Sequence, residues 1–278
     1  MQKKQIPCIK TGDFARLCNT NKRTLFYYDE IGLFSPAYTD EKGYRYYSES
    51  QCDVFFTITC LREIGMPLKE IKNYIDRRNP ALLKQMLEEE YKKVRAQQER
   101  LKRIEQVIRT KLDLVKLSGQ PEVSQSGGEV RLEESPEEYL VISPRLDTDD
   151  HDIIIHAICE HIGYCNHNQL NAGHPYGAMV STKSLLDGKW DTYAHFFTKV
   201  PQRPEGHPYH VKPAGSYAVT YLKGNYYDAA DAYGALLDWI RDNRLIPGEF
   251  SYKEAVLDEI AAASEEDYIT KISIPVEK

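Results

Sequence analysis

No apolar run in this 278-residue chain approaches the roughly 20 residues that a membrane-spanning helix needs. The first ten residues also lack the apolar core of a secretory signal, so neither a membrane protein nor an exported one is expected. Cysteine is sparse: the six residues show no short-spaced framework, and a chain of this length needs no stapling, which reads as a reduced, cytoplasmic protein. There is no glycine-rich phosphate loop and no spacing of a catalytic triad, so neither an enzyme nor a bound cofactor is expected. Glycine and proline are missing altogether between Pro80 and Gly119.

The net charge of -6 argues weakly against nucleic acid, but it conceals an asymmetry. Residues 1–117 carry 23 Lys/Arg against 16 Asp/Glu, a balance of +7, and the remainder carries 13 against 26, a balance of -13. A basic N-terminal part joined to an acidic C-terminal part fits a nucleic-acid reader coupled to a domain of another kind.

Residues 9–31 read as two short helices. Thr11 is a cap candidate for the first and Asn19-Thr20-Asn21 a turn supplying the next cap, while Gly32 closes the second helix. The pattern is that of a helix-turn-helix. Ser35-Pro36 breaks it, and Tyr38 to Tyr47 then reads as a hairpin turning at Glu41 to Gly43, with Lys42 and Arg45 set among tyrosines. Cations and tyrosine hydroxyls both suit phosphate contact, which makes the hairpin a wing. Two more helices follow, Ser50 to Ile64 and one opened by Pro67.

From Pro80 the chain reads as a single helix. Leu87, Val94, Leu101, Ile108 and Val115 recur every seven residues, with Tyr91, Gln98, Glu105 and Leu112 between them. A heptad seam needs a partner, and no other segment matches a helix of roughly 57 Å, so a homodimer with an antiparallel coiled coil is expected. Residues 118–128 form a turn-rich linker. The domains are then 1–78 for the reading head, 80–117 for pairing, and 129–278 for an α+β domain with an antiparallel sheet and two helices. In that last domain one order occurs twice: strand, helix, two strands.

The N-terminal motifs resemble the MerR family of transcription regulators. Thr24-Leu25-Phe26-Tyr27-Tyr28-Asp29-Glu30-Ile31-Gly32-Leu33 is similar to that family's recognition helix, Gly43-Tyr44-Arg45-Tyr46-Tyr47-Ser48 to its wing, and Leu61 to Ile71 to the turn between its third and fourth helices. Phe26 departs from an arginine usual in the family, and the neighbouring Arg23 offers a substitute. The resemblance implies promoter DNA as partner, with Lys22, Arg23, Tyr27 and Tyr28 at the duplex and Arg16, Tyr38, Lys42, Tyr44, Arg45 and Tyr46 on its backbone. It also implies an activator that realigns promoter elements for RNA polymerase by bending and untwisting the DNA when an inducer binds.

The C-terminal half is similar to GyrI-like effector-binding domains, through Pro175-Tyr176-Gly177-Ala178, Thr192 to Thr198, Gly215 to Ala218, Tyr252-Lys253-Glu254 and Asp267-Tyr268. Strand alternation sets Phe250, Tyr252, Glu254, Val256 and Asp258 on one face and Tyr268, Thr270, Ile272 and Ile274 on one face. A carboxylate among aromatic side chains either holds a cationic ligand or pairs with a Lys or Arg at a sheet edge, and the resemblance favours the ligand. The expected effector is a lipophilic, cationic, aromatic molecule, met by Glu254, Tyr252, Tyr268, Tyr176, Tyr193, Phe196, Tyr226 and Tyr227. Two rival readings stay open. One is a metal sensor built on His156, Cys159, His161, Cys165 and His167, although helical spacing spreads these over different faces. The other is a hydrolase activity of the GyrI-like domain.

The heptad makes a direct prediction. Leu101→Lys sets a charge in the middle of the seam, so the variant should sediment as a monomer where the wild type sediments as a dimer; a dimeric variant would refute the pairing.

Overall fold

A computed structural model describes residues 8–120, 123, 128–224 and 229–278. The chain divides into two units, 1–100 and 101–278, and α5 (Pro80–Ser118) begins in the first and ends in the second.

The first unit is a helical head with a small sheet. α1 (Thr11–Leu17) and α2 (Lys22–Glu30) form the helix-turn-helix. Asn21 caps α2, its side-chain oxygen accepting from the Thr24 N–H at 2.8 Å, and Gly32 follows with φ +65°, the left-handed geometry that glycine adopts without strain. Thr11 does not cap α1. Its hydroxyl donates to the Arg45 carbonyl at 2.9 Å and ties the helix to the wing. The wing gains a strand that the sequence pattern did not announce: β1 (Cys8–Lys10) pairs with β3 (Arg45–Ser48), which pairs with β2 (Tyr38–Thr39). At the turn, the Asp40 carboxylate accepts from the Lys42 and Tyr44 N–H groups, and Gly43 takes φ +82°. α3 (Gln51–Glu63) and α4 (Leu68–Asp76) complete the head around an aromatic core. Tyr47 is fully buried there, stacked 4.6 Å from Phe14 and 5.7 Å from Phe34.

α5 is continuous for 39 residues, roughly 58 Å at 1.5 Å per residue. Leu87, Val94, Leu101, Ile108 and Val115 are all exposed along it, as are Tyr91, Ile104 and Leu112.

The second unit is an antiparallel sheet with helices on one face. Its strands are β4 (Arg131–Ser135), β5 (Glu138–Ile142), β6 (Gly177–Ser181), β7 (Tyr193–Val200), β8 (Tyr209–Lys212), β9 (Gly215–Lys223), β11 (Phe250–Leu257) and β12 (Ile269–Glu277), in the order β4-β9-β12-β11-β6-β7-β5-β8, with the short β10 (Ile246–Pro247) on β12. The two repeats are legible in this order. β9-β12-β11 mirrors β5-β7-β6 about the β11–β6 pair, and β4 and β8 extend the two edges. α6 (His151–His167), α7 (Thr182–Leu186) and α8 (Ala230–Asp242) lie between strands. Ile154 and Ala157 of α6 and Tyr233, Leu236 and Ile240 of α8 pack on Ala178, Val180, Ala218 and Ile272 of one sheet face. Leu140, Met179, Phe197, Tyr217, Val219 and Tyr252 form a second core on the other face. Val123, within the segment expected as linker, is buried in that second core. Residues 121–122 and 124–127 lie outside the described residues.

The centre of the sheet admits no side chain at Gly177. A Cβ there would stand 2.4 Å from the Phe197 ring and 2.7 Å from the Lys253 carbonyl oxygen. Gly177→Ala should therefore force the central strands apart and lower stability by about 1–3 kcal/mol. Urea titration of the full chain measures it, and an unchanged midpoint would show that the strands have slack.

Candidate functional site

Two regions carry functional side chains, one in each unit. In the head, Lys22, Arg23 and Tyr27 project from α2 into solvent, because Leu25 and Tyr28 take the buried positions of that short helix. Arg16, Tyr38, Lys42 and Tyr44 are exposed as well. Arg16 pairs with Asp13 one turn earlier. Tyr28 turns its ring into the core, while its hydroxyl accepts from Arg62 at 2.9 Å and it lines a surface hollow with Arg23 and Tyr27. Arg62 reaches the same surface as Arg23 and Tyr27, with which it lines a shallow hollow together with Asn21, Thr24 and Pro67. Reading the sequence alone missed Arg62, because it lies on α3 and only the tertiary fold brings it beside α2.

Phe26 has a clear role. The Arg45 guanidinium lies over its ring, 4.9 Å from the centroid, while Arg45 Nε donates to Asp29 Oδ2 at 2.8 Å. An aromatic ring and a carboxylate on α2 thus clamp the wing arginine. Arg45 is held by the protein itself, and Tyr46 is held likewise, its hydroxyl donating to Asp40 at 3.3 Å beside the Tyr38 ring.

In the second unit the expected site residues separate. Glu254 is opposite Lys271 on β12, whereas Ala255 is opposite Thr270. Cross-strand partners share a face, so Tyr252 and Glu254 lie on one side of the sheet and Thr270 and Ile272 on the other. This corrects the expectation of Glu254 as an anion awaiting a ligand. Its carboxylate is 2.9 Å from Lys199 Nζ and 3.5 Å from Lys212 Nζ, and both lysines also pair with Glu138 at 3.0 Å. Burial alone would raise the Glu254 carboxyl, but the two lysines outweigh it and hold it well below the usual carboxylate range. Tyr252 belongs to the same face, its hydroxyl bonded to His210 at 2.8 Å and its ring 5.1 Å from Lys212 Nζ.

On the opposite face a cavity of about 550 Å³ opens under α6. Ile154, Ile158 and Ile162 of α6 form its roof; Tyr176, Gly177, Ala178, Tyr193, Phe196, Ala255 and Thr270 come from the sheet side. Tyr193 and Phe196 are three apart, a spacing that strict alternation would split between faces. A register shift against Met179 and Val180 brings both to the cavity side. A second shift at Ala255 and Leu257 turns Asp258 and Glu259 to its edge. α5 supplies Val107 and Lys111, and Lys111 pairs with Asp258 at 3.6 Å. Gly173 makes that wall possible: with φ +96°, its missing Cβ leaves room for the Val107 backbone, which any side chain would meet at 2.8 Å. Tyr268 is not among the lining residues, and Tyr226 and Tyr227 lie outside the described residues.

The cavity also contains titratable groups that sequence reasoning did not single out. Lys253 is buried beside the Tyr193 ring, its Nζ 5.9 Å from the centroid, and burial lowers it to about 8. His174 is lowered to about 4 by burial and then by Lys199, which leaves it neutral near pH 7. The signal for Lys253 was present: it alternates with Tyr252 and Glu254, so it must face the other way.

The His/Cys cluster on α6 does not converge. His161 and Cys165 are buried, with His161 Nε2 3.0 Å from the Thr198 hydroxyl, while His156 pairs with Glu160 and Cys159 and His167 are exposed. Among the described residues no three His, Cys, Asp or Glu side chains are arranged to hold a metal ion. No helix among them is long and apolar enough to cross a membrane.

Comparison with known proteins places the chain. Residues 9–78 match the MerR HTH family regulatory proteins, and residues 57–111 match the family described as MerR, DNA binding. The chain is 33% identical over 96% of its length to the multidrug-efflux transporter 2 regulator of Bacillus subtilis, covering 96% of that protein. It is 30% identical to the multidrug-efflux transporter 1 regulator of the same organism, over 68% of this chain and 67% of the relative. Among solved structures, the EcmrR–DNA complex seen by cryo-EM in EcmrR-RPo aligns with 97% of this chain and all of its own, at 24% identity and a TM-score of 0.43. With its helix-turn-helix, wing and long helix joined to an α+β domain, and with full-length identity to such regulators, the chain belongs to the MerR family of DNA-binding transcription regulators and is not an enzyme.

Proposed function

We propose that this protein is an effector-responsive regulator whose C-terminal domain, a GyrI-like sensor, binds a lipophilic aromatic molecule in the cavity under α6. The observation that carries this reading is the cavity itself. About 550 Å³ of space, walled by isoleucines and the rings of Tyr176, Tyr193 and Phe196, is of the size and character of small-molecule sites. Such a void is not expected in a domain that has only to pack. Similarity to the two Bacillus regulators of multidrug-efflux transporters supports an output in control of an efflux transporter.

The remaining steps follow the same reading. The exposed apolar row of α5 joins two copies as an antiparallel coiled coil. Val107 and Lys111 belong both to α5 and to the cavity wall, so ligand that fills the cavity presses on the pairing helix. The paired heads then bend and untwist promoter DNA and realign it for RNA polymerase, which makes the protein an activator working through DNA deformation.

Filling the cavity from its roof tests the site. A neutral lipophilic dye such as Nile red should bind the wild type with a blue-shifted emission, and Ile158→Trp should abolish that signal while DNA binding persists. Dye bound equally by both proteins would move the effector site elsewhere.

The head makes a separate prediction. Lys22→Ala combined with Arg23→Ala should remove two phosphate contacts, which weakens binding to duplexes selected by the wild type and reduces the salt slope by about 2. An unchanged slope in fluorescence-anisotropy titrations would show that α2 does not meet the duplex through these residues.

A further inference from the structure

Most polar groups in the cavity wall already have a place in the fold. Lys111 of α5 pairs with Asp258, the Asn171 side chain accepts from the Gly173 N–H at 2.8 Å, and Glu259 is exposed to solvent. Lys253 lies against the Tyr193 ring, and Tyr176 meets the Phe196 ring edge-on. The Thr270 hydroxyl has no hydrogen-bond partner, but the residue is sealed beneath the lining with no exposed surface. His174 is different. It is half-buried and reachable, and its imidazole makes no hydrogen bond among the described residues. Among those residues it is also the one shared by the cavity and a smaller hollow of about 270 Å³, whose wall includes Gln106, Glu138 and Lys199.

Two features hold this ring in place and set its chemistry. The loop that carries it is pinned at Gly173, whose missing Cβ lets the chain lie against the Val107 backbone of α5. Burial and the neighbouring Lys199 lower the imidazole to about 4, so near neutral pH it presents one N–H donor and one acceptor nitrogen. A molecule that fills the cavity shuts solvent from the side of the ring it covers, and one without a hydrogen-bonding group leaves that side unpaired. Taking the cavity as the effector site, we infer that His174 sets its specificity: the site selects lipophilic aromatic molecules that carry a hydrogen-bonding oxygen, such as a carbonyl, within reach of the His174 imidazole. The apolar walls hold the aromatic body without directional preference, and His174 beside α5 supplies the direction.

Fluorene and fluorenone test the inference. They share a planar aromatic frame, carry no charge, and differ in a methylene against a carbonyl. Each is titrated into the full-length protein loaded with Nile red, whose affinity is measured first on the wild type and on every variant. Fluorenone is the better hydrated of the two, so an apolar cavity alone favours fluorene. We expect the wild type to reverse that order, with fluorenone displacing the dye at about fivefold lower concentration, the strength of one neutral hydrogen bond. His174→Phe should restore the preference for fluorene, and His174→Gln, which keeps a donor and an acceptor, should retain the preference for fluorenone. His174→Leu carries the same expectation as His174→Phe should the larger ring prevent folding. Equal displacement by the two compounds, or a preference of the wild type for fluorene, overturns the inference and leaves the cavity as the effector site. A fluorenone preference that survives loss of the imidazole in the Phe or Leu variant does the same. Nile red that does not bind, or that neither compound displaces, removes the effector site from the cavity and the inference with it.

Discussion

The second unit depends on four charges gathered together, Lys212 buried and Glu138, Lys199 and Glu254 half-buried. Lys212 is on β8 at one end of the sheet order, and Glu254 is on β11, with β5, β7 and β6 between them. Their 3.5 Å approach, and the 2.8 Å bond from His210 to the Tyr252 hydroxyl, exist only because the sheet curls back on itself. Inside the curl, Lys199 and Lys212 alternate with Glu138 and Glu254, so each charge faces two of opposite sign. Removing one member of such a group leaves an uncompensated buried ion and costs about 3–5 kcal/mol. An apolar filling would be at least as stable, and the arrangement is better understood as fixing which strands meet.

The cluster also decides what the two faces can do. With the inner face occupied by ions and large aromatic side chains, the other face is left for α6 and α8. Between the roof of α6 and the strands lies the cavity. Two register shifts shape it, one bringing Tyr193 and Phe196 together and one turning Asp258 to its edge. Both rest on single extra residues, which locally re-aim side chains without changing the strand order.

In the head, the corresponding constraint is the aromatic stack of Phe14, Phe34 and Tyr47, which joins α1, the segment after α2 and the wing. On top of it the Asp29–Arg45–Phe26 clamp fixes the wing against α2. Phe26 looked in the sequence like a lost arginine. In the structure it is the partner of one, and the exposed cations Lys22 and Arg23 are presented on a rigid base.

The sequence by itself determined the elements. Heptad spacing marked α5, capping residues and glycines marked the ends of α2, and alternation with a repeated order marked most strands of the second unit, because these signals are local and periodic. It missed β1, β4, β8 and β10, short strands of two to five residues whose pairing comes from distant chain. It named Tyr176, Tyr193 and Phe196, which do line one cavity, and it misjudged Glu254, which is already paired with Lys199 and Lys212. Only the tertiary structure decided those points. Which face of a strand is inner, and which lysine stands opposite a carboxylate, are set by register and curl between residues tens of positions apart, and no local pattern in the chain encodes that pairing.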